Sequence, residues 1–90
     1  LVTGCSHAGI INILRHAAAR GEKLEAVIGG LHLVEASEER IEKTVRALAE
    51  YSPSLVAAGH CTGFRAQAAL YRMLGERFST MGAGSVFRFA

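Results

Sequence analysis

Apolar residues follow two different spacings along the chain, and the two spacings alternate three times. Each cycle opens with a short, mostly apolar run that leads directly into a glycine, at residues 1–3, 24–28 and 55–58. Each run is followed by apolar residues that recur every three or four positions. A short bounded run is typical of a buried strand, and the second spacing is typical of an amphipathic helix. The pattern therefore predicts three strand-helix units.

The predicted helices have recognisable ends. The first is expected to stop at Gly21, and the second is preceded by Ser37, a favourable N-cap residue with two glutamates directly after it. The second helix is expected to end near Tyr51, shortly before Pro53. The three apolar stripes are formed by Ile10, Ile11, Ile13, Leu14, Ala17 and Ala18; by Ile41, Val45, Leu48 and Ala49; and by Ala66, Ala69, Leu70, Met73 and Leu74.

A closing edge strand is expected at residues 85–89, which alternate with a period of two after a glycine-rich turn. The element order is then β-α-β-α-β-α-β, which places the chain in the α/β class. Because each helix returns the chain to the start of the next strand, the sheet should be mostly parallel. The loops that follow the strands should then lie together at one edge of the sheet.

One histidine follows each of the first three predicted strands, and each lies shortly after a glycine. His7 and His32 are 25 positions apart, and His32 and His60 are 28 positions apart. Each interval equals one strand-helix unit, so the histidines recur at a similar point of the unit. Ligands of open α/β sheets bind at the carboxyl ends of the strands. We therefore expect these histidines to converge and form part of a metal site.

The composition limits the class of protein. The chain has 90 residues, half of them hydrophobic, which predicts one globular unit. A net charge of +2 without blocks of like charge gives no indication of nucleic-acid binding. No apolar stretch approaches the roughly 20 residues of a membrane span, and the start of the chain lacks a signal-peptide pattern. A soluble cytoplasmic protein that binds a small-molecule substrate is the expectation.

The two cysteines each lie close to a histidine. Cys5 is two positions before His7, and Cys61 directly follows His60. This pattern favours reduced thiols in a ligand-rich site over a disulfide framework, and a disulfide between the two cysteines is the less favoured alternative. A Cys5 nucleophile activated by His7 is also permitted, although this spacing would need a specific loop shape.

Each histidine loop also has a structural explanation. Ser6 could serve as a polar cap for the first helix, without any role for its neighbours in binding. His32 lies between two leucines and could be a half-buried histidine with one nitrogen hydrogen-bonded. The segment 59–63 is harder to explain by packing, because a histidine and a cysteine between two glycines are poor core residues. His16 lies inside the first helix and is interpreted as a surface or packing residue.

Three strings resemble the C-terminal part of the metallo-β-lactamase superfamily. They are TGCSHAGIIN at residues 3–12, IGGLHL at residues 28–33 and GHCTG at residues 59–63. The resemblance covers essentially the whole chain and is most specific to the branch that includes the dihydropterin-methyl-ribofuranosylaminobenzene phosphate synthases. It implies an αββα sandwich whose two halves contribute loops to a metal site, usually zinc, that activates water for hydrolysis.

The resemblance also implies roles for individual residues. His60 matches the last metal-binding histidine of the superfamily. Cys5 lies near the place where many members have a bridging Asp or a Cys, and His7 is preferred over it as the ligand because imidazole suits such a zinc site. His32, Cys5 and Cys61 are expected to contact substrate or to support the metal ligands.

The HxHxDH motif of the superfamily, which supplies most of the metal ligands, has no counterpart in residues 1–90. The chain is therefore interpreted as the C-terminal half-domain of a metal-dependent hydrolase, whose metal is completed by ligands outside it. By itself it should be inactive, and it should bind the missing N-terminal half or self-associate. The alternative is a non-catalytic α/β module for ligand binding or assembly.

Overall fold

A computed structural model of the protein describes residues 1–21 and 23–89. The helices are α1 (Ile10–Ala18), α2 (Glu38–Glu50) and α3 (Phe64–Leu74), and the strands are β1 (Ala26–Gly30), β2 (Leu55–Gly59) and β3 (Phe78–Thr80). Short 3₁₀ turns at His60–Thr62 and Gly75–Arg77 precede and follow α3. The predicted alternation of strands and helices is confirmed. None of the helices within these residues is long and apolar enough to cross a bilayer.

The strands form one parallel sheet in the order β1-β2-β3. The first predicted run lies on the free side of β1, where Val2 forms an isolated parallel bridge with Ile28. The N–H of Ile28 donates to the carbonyl of Leu1, and the N–H of Thr3 donates to the carbonyl of Ile28, both at 2.9 Å. The strand order thus follows the chain order, and right-handed crossovers then place all helices on one face of the sheet.

The prediction of a closing strand at residues 85–89 is wrong, because the last strand, β3, lies earlier in the chain. α3 ends at Leu74, the φ of +59° at Gly75 turns the chain, and the 3₁₀ turn brings Phe78 into register with Val56. Phe78 packs against the core, so the edge of β2 is already occupied. Residues 85–89 form no strand, and Val86 is 74% exposed. The alternation of polar and apolar residues in this segment therefore does not correspond to a buried and an exposed face of a strand.

The core lies between the helices and one face of the sheet. Val27, Val56 and Ala58 point to this face and join the buried residues of all three helices in one cluster. Ser37 caps α2 as predicted, since its hydroxyl accepts a hydrogen bond from the N–H of Arg40 at 3.2 Å. Met73, predicted as part of the third stripe, is 42% exposed and lies outside the cluster.

One buried hydroxyl connects the ends of β1 and β2. Thr62 has no exposed surface, and its Oγ1 donates to the carbonyl of Gly59 at 2.7 Å. The same oxygen accepts a hydrogen bond from the N–H of Leu31 at 3.0 Å. The N–H groups of Leu33 and Val34 then donate to the carbonyl of Cys61. The loop after β1 is therefore held against the turn after β2.

Replacement of Thr62 by valine should destabilise the protein although the side chain keeps its shape. The change leaves the buried N–H of Leu31 without its partner, which should lower the free energy of unfolding by about 1–3 kcal/mol. Thr62→Ser is the matched control, because it keeps the hydroxyl and loses only a methyl group, at about 1 kcal/mol. Urea denaturation of both variants measures the difference. A valine variant at least as stable as the serine variant would contradict this role.

Candidate metal centre

The loops that follow the first strand-like segment, β1 and β2 meet at one edge of the sheet, as the parallel order requires. They meet at Gly30, whose N–H donates to the carbonyl of Gly4 at 2.8 Å. A Cβ atom at Gly30 would lie 2.9 Å from Sγ of Cys61 and 3.4 Å from Cα of Cys5. Only glycine leaves room for the two cysteine-bearing loops at this point.

Each of the three loops contains a residue in the left-handed backbone conformation. The φ angles are 58° at Ser6, 55° at His32 and 54° at His60. This conformation costs a non-glycine residue roughly 1–2 kcal/mol, and such strain is concentrated at functional sites. His32 and His60 therefore share a backbone conformation, although His32 lies two residues after the end of β1 and His60 directly follows β2. In the first loop the residue with this conformation is Ser6, and His7 directly follows it.

Cys5, His60 and Cys61 form a compact group of possible metal donors. Their ligand atoms all lie within 4.8 Å of one another. Sγ of Cys5 lies 3.5 Å from Nδ1 of His60, and Sγ of Cys61 donates to the carbonyl of Cys5 at 3.3 Å. A thiolate and an imidazole on one tetrahedral zinc would be about 3.5 Å apart. The donor chemistry and spacing of this group therefore fit a divalent metal such as zinc.

The environment of Cys5 favours its protonated form. Burial raises the pKa of the Cys5 thiol above its usual value, and the hydrogen bond and charge of the neighbouring Cys61 raise the pKa further. Neither cysteine forms a disulfide. The Cys5 thiol would therefore have to release a tightly held proton to bind a metal.

His7 and His32 form a second contact at the same edge. Their ring centroids are 4.4 Å apart with an interplanar angle of 34°, and both side chains are exposed. His7 lies outside the compact group of Cys5, His60 and Cys61. The structure thus pairs Cys5 with His60 and His7 with His32. The prediction that His7 and His60 bind one metal remains a prediction.

Two residues of these loops have positions that the sequence did not indicate. Ser6 was a possible cap for α1, but the N-cap is Gly9 and the helix has no side-chain cap. The Ser6 side chain is instead buried, with its hydroxyl 3.1 Å from that of Thr3. Thr62 was not singled out at all, and its position directly after the His-Cys pair was the only available signal. His16 is exposed on α1, as one of its two interpretations predicted.

Comparison with known proteins gives two matches over nearly the whole chain and one shorter match. The chain is 37% identical, over 99% of its length, to the 7,8-dihydropterin-6-methyl-4-(β-D-ribofuranosyl)-aminobenzene-5'-phosphate synthase of Methanocaldococcus jannaschii. It superposes with a TM-score of 0.92 and 38% identity on a crystal structure described as a metal-dependent hydrolase of the β-lactamase superfamily, again over 99% of its length. It is also 39% identical, over 73% of its length, to an uncharacterised protein of the same archaeon.

The match covers only part of each relative. The chain spans 31% of the synthase and 35% of the crystallised hydrolase, or about a third of either. No family model matches the chain. The two long matches agree with each other and with the parallel fold described above. The chain therefore belongs to the metallo-β-lactamase superfamily, in the branch that includes the pterin-phosphate synthase.

Proposed function

We propose that this chain is the C-terminal part of a metal-dependent hydrolase and supplies the late ligands of its metal centre. The observation that supports this most directly is the convergence of three loops with exposed imidazoles and thiols at one sheet edge. The crystallised neighbour is described as a metal-dependent hydrolase, which agrees with this function. The relative from Methanocaldococcus jannaschii is named a synthase, so the reaction itself is left open.

His60 and His7 are the proposed metal ligands. Nδ1 of His60 faces Sγ of Cys5, which leaves Nε2 of His60 for the metal. Cys5 then holds the imidazole ring of His60 in place, as hydrogen-bond partners of metal-binding histidines generally do. His32 contacts the ring of His7 and would orient it or contact substrate, and Cys61 supports the Cys5 loop.

Zinc is the proposed metal, because imidazole and thiol groups suit it, and the remaining ligands would come from outside residues 1–90. A bound divalent metal would activate water for hydrolysis near neutral pH. We also propose a cytoplasmic location, since the free thiols beside His60 fit a reducing compartment.

Metal binding can be tested in a chimera in which this chain replaces the matching third of the crystallised hydrolase. His7→Ala and His60→Ala should each remove the bound metal, whereas Cys5→Ser should weaken its binding by about 10–100-fold. His16→Ala is the matched control, because this exposed histidine lies on α1 away from the loops. Elemental analysis and metal titration measure the effects.

A different set of ligands would give a different result. If Cys5, His60 and Cys61 bound the metal directly, the cobalt-substituted chimera would show thiolate-to-metal absorption, and Cys5→Ser would abolish it. That result would overturn the assignment of His7. Metal content and turnover that survive the combined loss of His7 and His60 would overturn the proposed function.

The left-handed conformation at His60 predicts that two variants of this residue differ in stability but not in loss of the metal. His60→Gly relieves the strain. Its free energy of unfolding, measured by urea denaturation, should therefore exceed that of His60→Ala by about 1–2 kcal/mol. Both variants should lose the metal equally in the chimera. Equal stability of the two variants would show that the conformation at residue 60 stores no strain. Ser52 also has a positive φ, of 50°, but lies away from the site. Ser52→Gly and Ser52→Ala are therefore the control pair, which should show the same difference in stability and keep the metal.

The second face of the sheet is the proposed contact with the rest of the hydrolase, or with a second copy of the chain. Ile28 and Leu55 lie on this face, are only partly buried and do not join the core cluster. We therefore expect the isolated chain to self-associate at high micromolar concentration in sedimentation experiments. Leu55→Glu should reduce the association, and Val86→Glu, on the exposed tail, should not. A monomer at every concentration would contradict the proposal.

A further inference from the structure

We propose that Cys5 and Cys61 form an oxidation-sensitive pair that closes to an intramolecular disulfide when the protein meets a peroxide. The two sulfur atoms lie within 4.8 Å of each other, although the residues are 56 positions apart in the chain. Both are free thiols, and both side chains are partly exposed. A small oxidant can therefore reach them, and the pairing does not depend on the proposed hydrolase function.

The backbone around the pair keeps the two cysteines together. The thiol of Cys61 donates a hydrogen bond to the carbonyl of Cys5, so its sulfur already faces the other loop. The missing side chain at Gly30 allows this approach, since a Cβ atom there would collide with Sγ of Cys61. The buried hydroxyl of Thr62 holds the turn that contains Cys61. Bond formation requires the two sulfurs, which lie within 4.8 Å of each other, to approach to about 2 Å.

The reaction balances with one molecule of hydrogen peroxide. The thiolate form of one cysteine attacks the peroxide, an S–O bond forms and the O–O bond breaks. The product is a sulfenic acid, and the released hydroxide takes up the thiol proton to give one water. The second sulfur then attacks the sulfenic sulfur, the S–O bond breaks, and the thiol proton leaves with the oxygen as a second water. The two sulfurs together lose two electrons, and the peroxide gains them.

Closure of the disulfide would change the surroundings of His60. The Cys5 sulfur would no longer be free to contact Nδ1 of His60, and the hydrogen bond from the Cys61 thiol to the Cys5 carbonyl would be lost. A metal ligand that loses such a supporting group typically loses about 10–100-fold in metal affinity. Oxidation should therefore weaken metal binding by a similar factor. This consequence, unlike the disulfide itself, depends on the proposed role of His60 in the metal centre.

The experiment treats the 90-residue protein with increasing hydrogen peroxide and follows it by intact mass spectrometry and thiol titration. The expected product is a monomer that has lost two hydrogen atoms, has no titratable thiol and yields a single cross-linked peptide containing Cys5 and Cys61. Dithiothreitol should restore both thiols. Cys5→Ser and Cys61→Ser are the matched variants, and each should instead accumulate oxygen additions or a disulfide-linked dimer.

Several results would overturn the proposal. They are the addition of oxygen atoms to both cysteines without loss of hydrogen, a disulfide-linked dimer as the main product of the unaltered chain, and two thiols that remain titratable. Circular dichroism before oxidation tests whether each variant is folded. Metal titration of the oxidised and reduced chimera tests the consequence separately. An unchanged affinity together with a proven disulfide would remove the link to His60 and keep the thiol pair.

Discussion

Two hydrogen bonds of the Thr62 hydroxyl hold together the part of the molecule where the candidate site lies. The hydroxyl accepts a hydrogen bond from the N–H of Leu31, just after β1, and donates one to the carbonyl of Gly59 at the end of β2. Because the hydroxyl is fully buried, no water can replace either partner, and each bond would leave an unsatisfied polar group if it broke. Together with the hydrogen bonds from Leu33 and Val34 to the carbonyl of Cys61, this oxygen fixes the loop that contains His32 against the turn that contains His60.

The same edge of the sheet concentrates features that reduce stability. Ser6, His32 and His60 adopt a conformation that favours glycine, and the imidazoles of both histidines remain exposed. A sequence selected for stability alone would place glycine or asparagine at such positions. The core between the helices and the sheet compensates, because the buried residues of three helices pack there in one continuous cluster. The packing of the helices against the sheet thus stabilises the three strained loops.

The thiols add a second chemistry to a site that the histidines would otherwise define. Cys5 contacts the ring of His60, and its proton is held more tightly than in an ordinary cysteine because of partial burial and the neighbouring Cys61. A thiol in this position can support an imidazole, bind a metal or form a bond to the second sulfur. Which of these occurs depends on the metal and on the oxidant present, since all three use the same sulfur atom.

The elements and the edge that bears the site could be predicted from the sequence, because they depend on local patterns. Helical spacing, the cap at Ser37 and the glycine after each strand are properties of neighbouring residues, and parallel order then places the loops together. The last strand could not be placed correctly, because its position depends on which segment first reaches the edge of β2, and Phe78 does so before residues 85–89.

The partners within the site also required the tertiary structure. Spacing along the chain predicted that His7, His32 and His60 converge, but it did not predict that Cys5 contacts His60 and that His7 contacts His32. The direction of each side chain follows from the left-handed turn at Ser6, His32 or His60 and from the close approach at Gly30. The sequence alone thus determined which loops bring histidine and cysteine to this edge of the sheet. Only the packing of those loops decided which side chains meet, because contacts between residues 55 positions apart have no local signal.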